Sequence, residues 1–194
     1  MNREQWLNRG MNKLKPLFKK AGFPLPDNIR ITCGWPSKSA GRSSKRRIGE
    51  CWAGTASDDN TIEVIVSMVL SKPLAVLDVL THELDHAAVG VECGHKGAFK
   101  TCALAIGLTG SASMTTANAG PELTEKLNKI IKQIGPYPHA SIDFDNRKKQ
   151  TTRMVKVECQ SHDCGMVFRT SNKWVEASAG IMSCPICSFD CDIT

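Results

Sequence analysis

The chain has 194 residues, of which 41% are hydrophobic and 23% are charged, and its formal net charge is +6. This apolar content is enough to bury a core, so the composition excludes an intrinsically disordered chain. No apolar run reaches the roughly 18 to 20 residues of a membrane-spanning helix, and residues 1–20 lack the continuous apolar stretch of a secretory signal peptide. We therefore expect a cytoplasmic protein with one medium domain and a small second one.

The first part of the chain is predicted to form one helix and three strands. Residues 2–21 carry apolar side chains at helical spacing and end at a Pro-rich break. Residues 29–35 and 62–69 read as strands, and residues 48–53 as a strand that pairs back after a polar, basic loop over 36–47. Positive charge is clustered in this loop, in the first helix and before the C-terminal segment, which is compatible with a nucleic-acid partner.

Three further helices are predicted after the third strand. Pro73 begins the first of them, in a first-turn position where proline is tolerated, and Gly90 ends it. Helices over 97–106 and 121–134 follow, with a Ser-, Thr- and Gly-rich loop between them. Together these elements predict an α+β domain over residues 1–140, with a small sheet.

The predicted helix that begins at Pro73 contains the sequence His-Glu-x-x-His. His82 and His86 are four residues apart, so both imidazoles lie on one side of a helix and can reach one metal ion. Glu83 lies beside them, where it can take a proton from a metal-bound water. This spacing therefore predicts a catalytic zinc site on an active-site helix.

A catalytic zinc takes three protein ligands and leaves one position open, so a third ligand is expected downstream. His95 is the preferred candidate, because the eight residues between it and His86 are enough for the chain to turn back. Glu92 is its rival, since a carboxylate can also serve as the third ligand. Tyr137 and His139 are candidate donors to the oxyanion of a reacting carbonyl, and a rigid, packed turn is their alternative role.

Four of the nine cysteines form two close pairs near the C-terminus: Cys159, Cys164, Cys184 and Cys187. In an intracellular chain such clusters favour a metal over disulfides, and this pattern predicts a zinc ribbon over 155–194 with a closed, structural zinc site. The wide spacing of the first pair leaves His162 and Cys191 as substitute ligands. A polar and basic linker over 141–154 is predicted to join the two domains.

These motifs together resemble the SprT-like metalloprotease family, and its compact phage and bacterial members in particular. The resemblance lies in His-Glu-Leu-Asp-His at 82–86, Gly-His-Lys-Gly-Ala-Phe-Lys at 94–100, Gly-Pro-Tyr-Pro-His-Ala at 135–140, Arg-Thr-Ser-Asn-Lys-Trp at 169–174 and the terminal ribbon. It covers most of the chain from about Ile29 onward. It implies a zincin-like fold, Glu83 as the general base, and a catalytic zinc on His82, His86 and His95. The wide first cysteine spacing departs from the family's pattern.

The resemblance implies a zinc-dependent endopeptidase that acts on proteins or peptides. Eukaryotic members of the family cleave proteins crosslinked to DNA, so DNA-associated proteins are an expected substrate class, with single- or double-stranded DNA as a non-specific partner. The candidate nucleic-acid contacts in the ribbon are Arg169, Lys173 and Trp174, unless the tryptophan belongs to the ribbon's core. If the strand over 48–53 is a sheet edge over the site, it favours peptides through strand addition.

Two other functions fit the same motifs. The first is a nucleic-acid-binding zinc protein with a transcription-related, non-catalytic role. The second is a metal hydrolase of small molecules. A purely structural metal site has no need of a carboxylate beside an open position, so Glu83 separates the first alternative from the peptidase.

Overall fold

A computed structural model describes the chain over residues 1–37, 47–140, 142 and 154–194. The architecture is mixed α+β with small sheets, and the chain divides into two compact units, Met1–Phe144 and Asp145–Thr194. The predicted linker over 141–154 lies almost wholly outside the described residues. The same is true of these basic side chains in the predicted clusters: Arg42, Lys45, Arg46, Arg147, Lys148, Lys149 and Arg153. No helix in the described parts of the chain is long and apolar enough to cross a membrane.

The sheet of the first unit has three strands: β1 (Ile29–Gly34), β2 (Gly49–Trp52) and β3 (Ile62–Ser67). Their order is β1-β3-β2, with β1 parallel and β2 antiparallel to β3. Ile31, Val64 and Val66 are buried, as expected for alternate residues on the face that packs against helices. Within the described residues β2 has β3 as its one neighbour, so β2 is an edge strand.

The helices of the first unit are α1 (Arg3–Lys20), α2 (Pro73–Val89), α3 (Ala98–Ile106) and α4 (Pro121–Ile134). A capping box begins α1, in which the side chains of Asn2 and Gln5 each accept a hydrogen bond from the other's backbone N–H. Helix α2 packs against β2, β3 and the other three helices, and Leu77, Leu80 and Leu84 on it are fully buried. This central position fixes the orientation of the side chains that α2 carries.

The loop predicted between α3 and α4 contains a short two-stranded sheet. Strands β4 (Leu108–Thr109) and β5 (Asn118–Ala119) pair antiparallel at the two ends of the loop. The side chain of Met114 between them is almost fully buried and belongs to the core of the unit. The loop is therefore anchored at its ends and at its centre.

The second unit contains an antiparallel sheet and a short helix: β6 (Val155–Cys159), β7 (Val167–Thr170), α5 (Asn172–Ala177) and β8 (Cys191–Ile193). Strand β6 lies between β7 and β8. Val157 is fully buried, whereas several large apolar side chains are exposed, namely Trp174, Ile181, Ile186 and Phe189. A unit with so small an apolar core needs another source of stability, such as a bound metal.

Candidate metal centre

Helix α2 and the segment after it bring three histidines of the first unit together. His82 and His86 lie one turn apart on α2, and Gly90 ends the helix with a φ of 93°. Gly94, directly before His95, also has a positive φ, of 53°. Residues other than glycine rarely adopt these backbone angles, so the two glycines allow the chain to turn back. His95 is thereby placed opposite the two imidazoles of α2.

The three imidazoles converge through their Nε2 atoms. Nε2 of His95 lies 3.2 Å from Nε2 of His82 and 3.2 Å from Nε2 of His86. Zinc binds imidazole nitrogen at about 2.0–2.1 Å, so two nitrogens of a tetrahedral site lie roughly 3.3–3.4 Å apart. One proton cannot bridge three ring nitrogens that face a common point, whereas a metal ion satisfies all three. The cluster therefore fits a zinc ion with three nitrogen ligands.

The protonation states of these histidines also suit a metal. Burial lowers the pKa of His82 to about 4 and that of His86 to about 3, and the charge of the neighbouring histidines adds to both shifts. Burial and the charge of Arg47 lower the pKa of His95 as well. Imidazole binds a metal ion in its neutral form. Near neutral pH all three rings are therefore ready to act as ligands.

The histidines open into a pocket of about 750 Å³ that also contains Glu83. The pocket is lined by residues of α2, by residues 47–51 and 115–118, and by Val91, Gly94 and His95. Glu83 is only 7% exposed, and burial raises its pKa to about 8, with the charge of Glu50 adding to the shift. A divalent cation on the adjacent histidines would favour the ionised carboxylate. The pocket thus combines a three-nitrogen metal cluster with a buried carboxyl group.

Glu92, the rival for the third ligand position, lies outside the cluster. Its carboxylate turns back over Gly90, where it fills the space that a β-carbon on that glycine would occupy. Among the described residues, the cluster at this position consists of His82, His86 and His95. The structure therefore favours His95 over Glu92 as the partner of the two α2 histidines.

Tyr137 and His139 are placed away from the metal cluster. The Tyr137 hydroxyl donates to Sγ of Cys33 at 3.4 Å, and its ring packs edge-on against Trp6 with 4.9 Å between centroids. Nε2 of His139 lies 2.8 Å from the carbonyl oxygen of Met68. Neither side chain is among the described residues that line the pocket. These contacts are those of a packed turn, the alternative considered for both residues, and the role of oxyanion donor stays a prediction.

In the second unit the four predicted cysteines converge through their sulfur atoms. Sγ of Cys159 lies 3.4 Å from Sγ of Cys187, and Sγ of Cys164 lies 3.6 Å from Sγ of Cys184. All four sulfurs lie within 4.8 Å of one another. A zinc–sulfur bond of about 2.3 Å places the sulfurs of a tetrahedral site roughly 3.8 Å apart. The geometry therefore fits a zinc ion with four thiolates and no open position.

The two substitute ligands considered for the ribbon lie outside this cluster. His162 is exposed on the turn between Cys159 and Cys164. The thiol of Cys191 points to the carbonyl oxygen of Phe189, at 3.9 Å. The wide first spacing is accommodated by the turn itself, so the four-cysteine set needs no replacement.

The candidate nucleic-acid contacts lie on the surface of the second unit. Trp174 is 58% exposed, so it does not belong to the core of the second unit. Nζ of Lys173 lies 5.1 Å from the centroid of the Trp174 ring, within the range of a cation–π contact. Arg169 on β7 is exposed as well. An exposed aromatic ring beside free positive charge is a surface on which a nucleic-acid base can stack.

Sequence patterns did not reveal the pocket residues that lie on β2 and directly before it. Glu50 is 6% exposed and accepts hydrogen bonds from the backbone N–H and hydroxyl of Ser37, at 2.8 and 2.6 Å. Arg47 donates to the same carboxylate at 2.5 Å and lines the pocket. The sequence predicted a strand over residues 48–53. Which of its side chains face α2 depends on the order and register of the sheet, and these could not be predicted from the sequence.

No family model, curated protein or solved structure matches this chain. The resemblance to SprT-like proteases accordingly stands on the motifs quoted above, and the function is argued from the geometry of the chain's own residues.

Proposed function

We propose that the first unit is a zinc-dependent endopeptidase of the SprT-like type with a zincin-like fold, and that the second unit is a zinc ribbon. The observation that carries the proposal is the convergence of three Nε2 atoms beside the buried carboxyl group of Glu83, in an accessible pocket. A three-ligand set leaves a position for water or substrate, whereas a structural zinc site is closed by a fourth ligand.

The pocket residues have different roles in the proposed hydrolysis. The three imidazoles would hold the ion, which when bound would lower the pKa of a water molecule and polarise a carbonyl group. Glu83 accepts the proton of the attacking water and returns it to the leaving amine. Its position suits this role, because a general base must lie within reach of the proton that it takes, and Glu83 lines the same pocket as the three imidazoles.

The edge strand β2 supports a peptide substrate over a small molecule. The backbone N–H of Ser67 donates to the carbonyl oxygen of Ile48 at 2.9 Å, which directs the backbone groups of Ile48 toward β3. Ladder groups alternate along an antiparallel pair, so those of Gly49 and Cys51 point away from β3. Within the described residues these groups have no partner strand, so an extended peptide can pair with them and lie along the pocket.

The test of this function is the substitution Glu83→Gln. We expect both zinc ions to remain, because Glu83 is not a ligand, and cleavage of an unfolded protein substrate to fall on the order of a hundredfold or more. Glu92→Gln is the matched control, a neighbouring carboxylate outside the cluster, and should keep the wild-type rate. Cleavage at the wild-type rate by Glu83→Gln would sink the mechanism. Absence of cleavage by the zinc-loaded wild type would favour the non-catalytic, nucleic-acid-binding alternative.

Nucleic acid is the second partner that we propose, with DNA-associated proteins as the substrate class. The exposed Trp174 ring and the Lys173 ammonium beside it support this role for the ribbon. The formal net charge of +6 is consistent with a polyanionic partner.

A further inference from the structure

Strand β2 meets helix α2 at the side chain of the proposed general base. Gly49 pairs with Val66 of β3 and faces Glu83 and Val79 of α2. A β-carbon built on Gly49 would lie 2.6 Å from Cγ1 of Val79 and 2.8 Å from Cγ of Glu83, and closer still to the carboxylate oxygen Oε1. Real β-carbons essentially never approach a neighbouring atom within 3.0 Å. The Glu83 carboxyl group thus occupies space that any other residue at position 49 would fill.

Backbone conformation does not explain this glycine. Gly49 begins a regular strand and is not one of the glycines with a positive φ. Alanine can adopt the same backbone angles without strain, since strand angles are open to all residues. The obstacle to a side chain is therefore steric, and two of the three nearest atoms belong to Glu83.

Two walls confine the Glu83 carboxyl group at this point. The backbone of Gly49 closes one side, and Val79, one turn earlier on α2, lies against the same space. Because the side chain of Glu83 is 7% exposed, it has little room to retreat toward solvent. A β-carbon at position 49 would consequently move either the carboxyl group or the strand.

We propose that Gly49 is a positioning residue for Glu83: its missing side chain leaves the space in which the base lies beside the histidine cluster. This inference rests on the proposed peptidase function. The backbone groups of Gly49 also point away from β3, to the side of β2 that has no partner strand within the described residues and where a substrate strand would pair. Gly49 would therefore affect both the position of the Glu83 carboxyl group and the position of a peptide paired with β2.

The kinetic test is Gly49→Ala. We expect both zinc ions to be retained, kcat to fall on the order of ten- to a hundredfold because a catalytic group displaced by about 1 Å loses its alignment, and KM to change little. Gly34→Ala in β1 is the matched control, since the nearest atom to a β-carbon there is Ile65 Cγ2 at 3.5 Å, an ordinary contact. It should keep wild-type kinetics. An unchanged kcat in Gly49→Ala would overturn the proposal.

A second test does not depend on activity. The fall in Tm caused by Gly49→Ala is measured in the wild-type background and in a Glu83→Ala background, which removes two of the three close atoms. We expect a smaller fall in the second background, because the two residues compete for one space. Equal falls would refute the positioning role even in an active enzyme. A smaller fall in the second background, together with a zinc-loaded wild type that cleaves no peptide, would support the packing relation and refute the peptidase proposal alone.

Discussion

Asp85, between the two histidines of α2, is a buried carboxylate in unusual surroundings. It is fully buried, and within the described residues its oxygens have no hydrogen-bond partner other than the nearby thiol of Cys102. Burial raises its pKa to about 7, and the thiol of Cys102, a weak donor, opposes that shift. Nδ1 of His86 is likewise buried without a partner. Such a group destabilises a fold, because the charged form loses its hydration without compensation.

Replacing Asp85 with leucine should stabilise the metal-free protein. The change replaces a buried carboxyl group that lacks a strong partner with an apolar side chain of similar size. It should raise the free energy of unfolding by about 1–4 kcal/mol, measured by denaturant titration. Asp78→Leu on the same helix is the matched control. Its carboxylate accepts from the backbone N–H of Ala119 at 2.7 Å, so this change should lower stability by about 1–3 kcal/mol. A loss of stability in Asp85→Leu would show that its carboxylate has a partner.

The residues that could be predicted from the sequence are those whose spacing fixes their geometry. The four-residue interval of His82 and His86 is a property of any helix, and the structure brings His95 to them. A packed turn was one of the two roles considered for Tyr137, but its packing partner could not be predicted, and neither could the contact of Gly49 with Glu83. The first depends on which face of a turn packs on Trp6, and the second on a contact between elements distant in sequence.

The elements themselves follow from periodicity where they are long. Helix α2 begins at Pro73 as predicted, and β3 lies within its predicted range. The two-residue strands β4 and β5 could not be predicted, because two residues contain no period. The alternation of a strand also does not determine which other strand it pairs with. The parallel pairing of β1 with β3 could therefore not be predicted from the sequence.

The second unit, with its small apolar core, should depend on a bound metal for folding more than the first unit does. We expect Cys184→Ser to unfold the second unit and to lower the zinc content from two ions per chain to about one, measured by elemental analysis. Cys191→Ser is the control, because its thiol lies outside the cluster, and it should keep both ions. Loss of both ions in Cys184→Ser would show instead that the two units fold as one.

At the scale of the whole molecule, the chain combines a net charge of +6 with an exposed aromatic ring beside a lysine. The positive charge attracts any polyanion, and this attraction weakens as the salt concentration rises, because each neutralised phosphate releases counterions. Stacking is less sensitive to salt and favours single strands, whose bases are accessible. The two contributions can therefore be separated by experiment.

We expect the full chain to bind labelled single-stranded DNA without sequence preference, with an affinity that falls steeply as salt rises. Trp174→Ala should weaken binding about equally at low and high salt, by roughly 1–3 kcal/mol. Lys173→Glu should reduce the slope of affinity against salt. Lys132→Glu, an exposed position in α4, makes the same change of charge in the first unit and should have a smaller effect. No binding at low salt, or equal effects of the two lysine changes, would contradict this role of the ribbon.

The sulfur distances in the second unit bear on its redox chemistry. Two close sulfur pairs, Cys159 with Cys187 at 3.4 Å and Cys164 with Cys184 at 3.6 Å, join one turn to the other. Zinc and oxidants compete for the same thiolates, whereas imidazole nitrogens do not take part in thiol–disulfide exchange. The two proposed zinc ions thus have different requirements. An ion on the four cysteines would be held only where thiols stay reduced, whereas an ion on the three histidines would not depend on the redox state of its ligands.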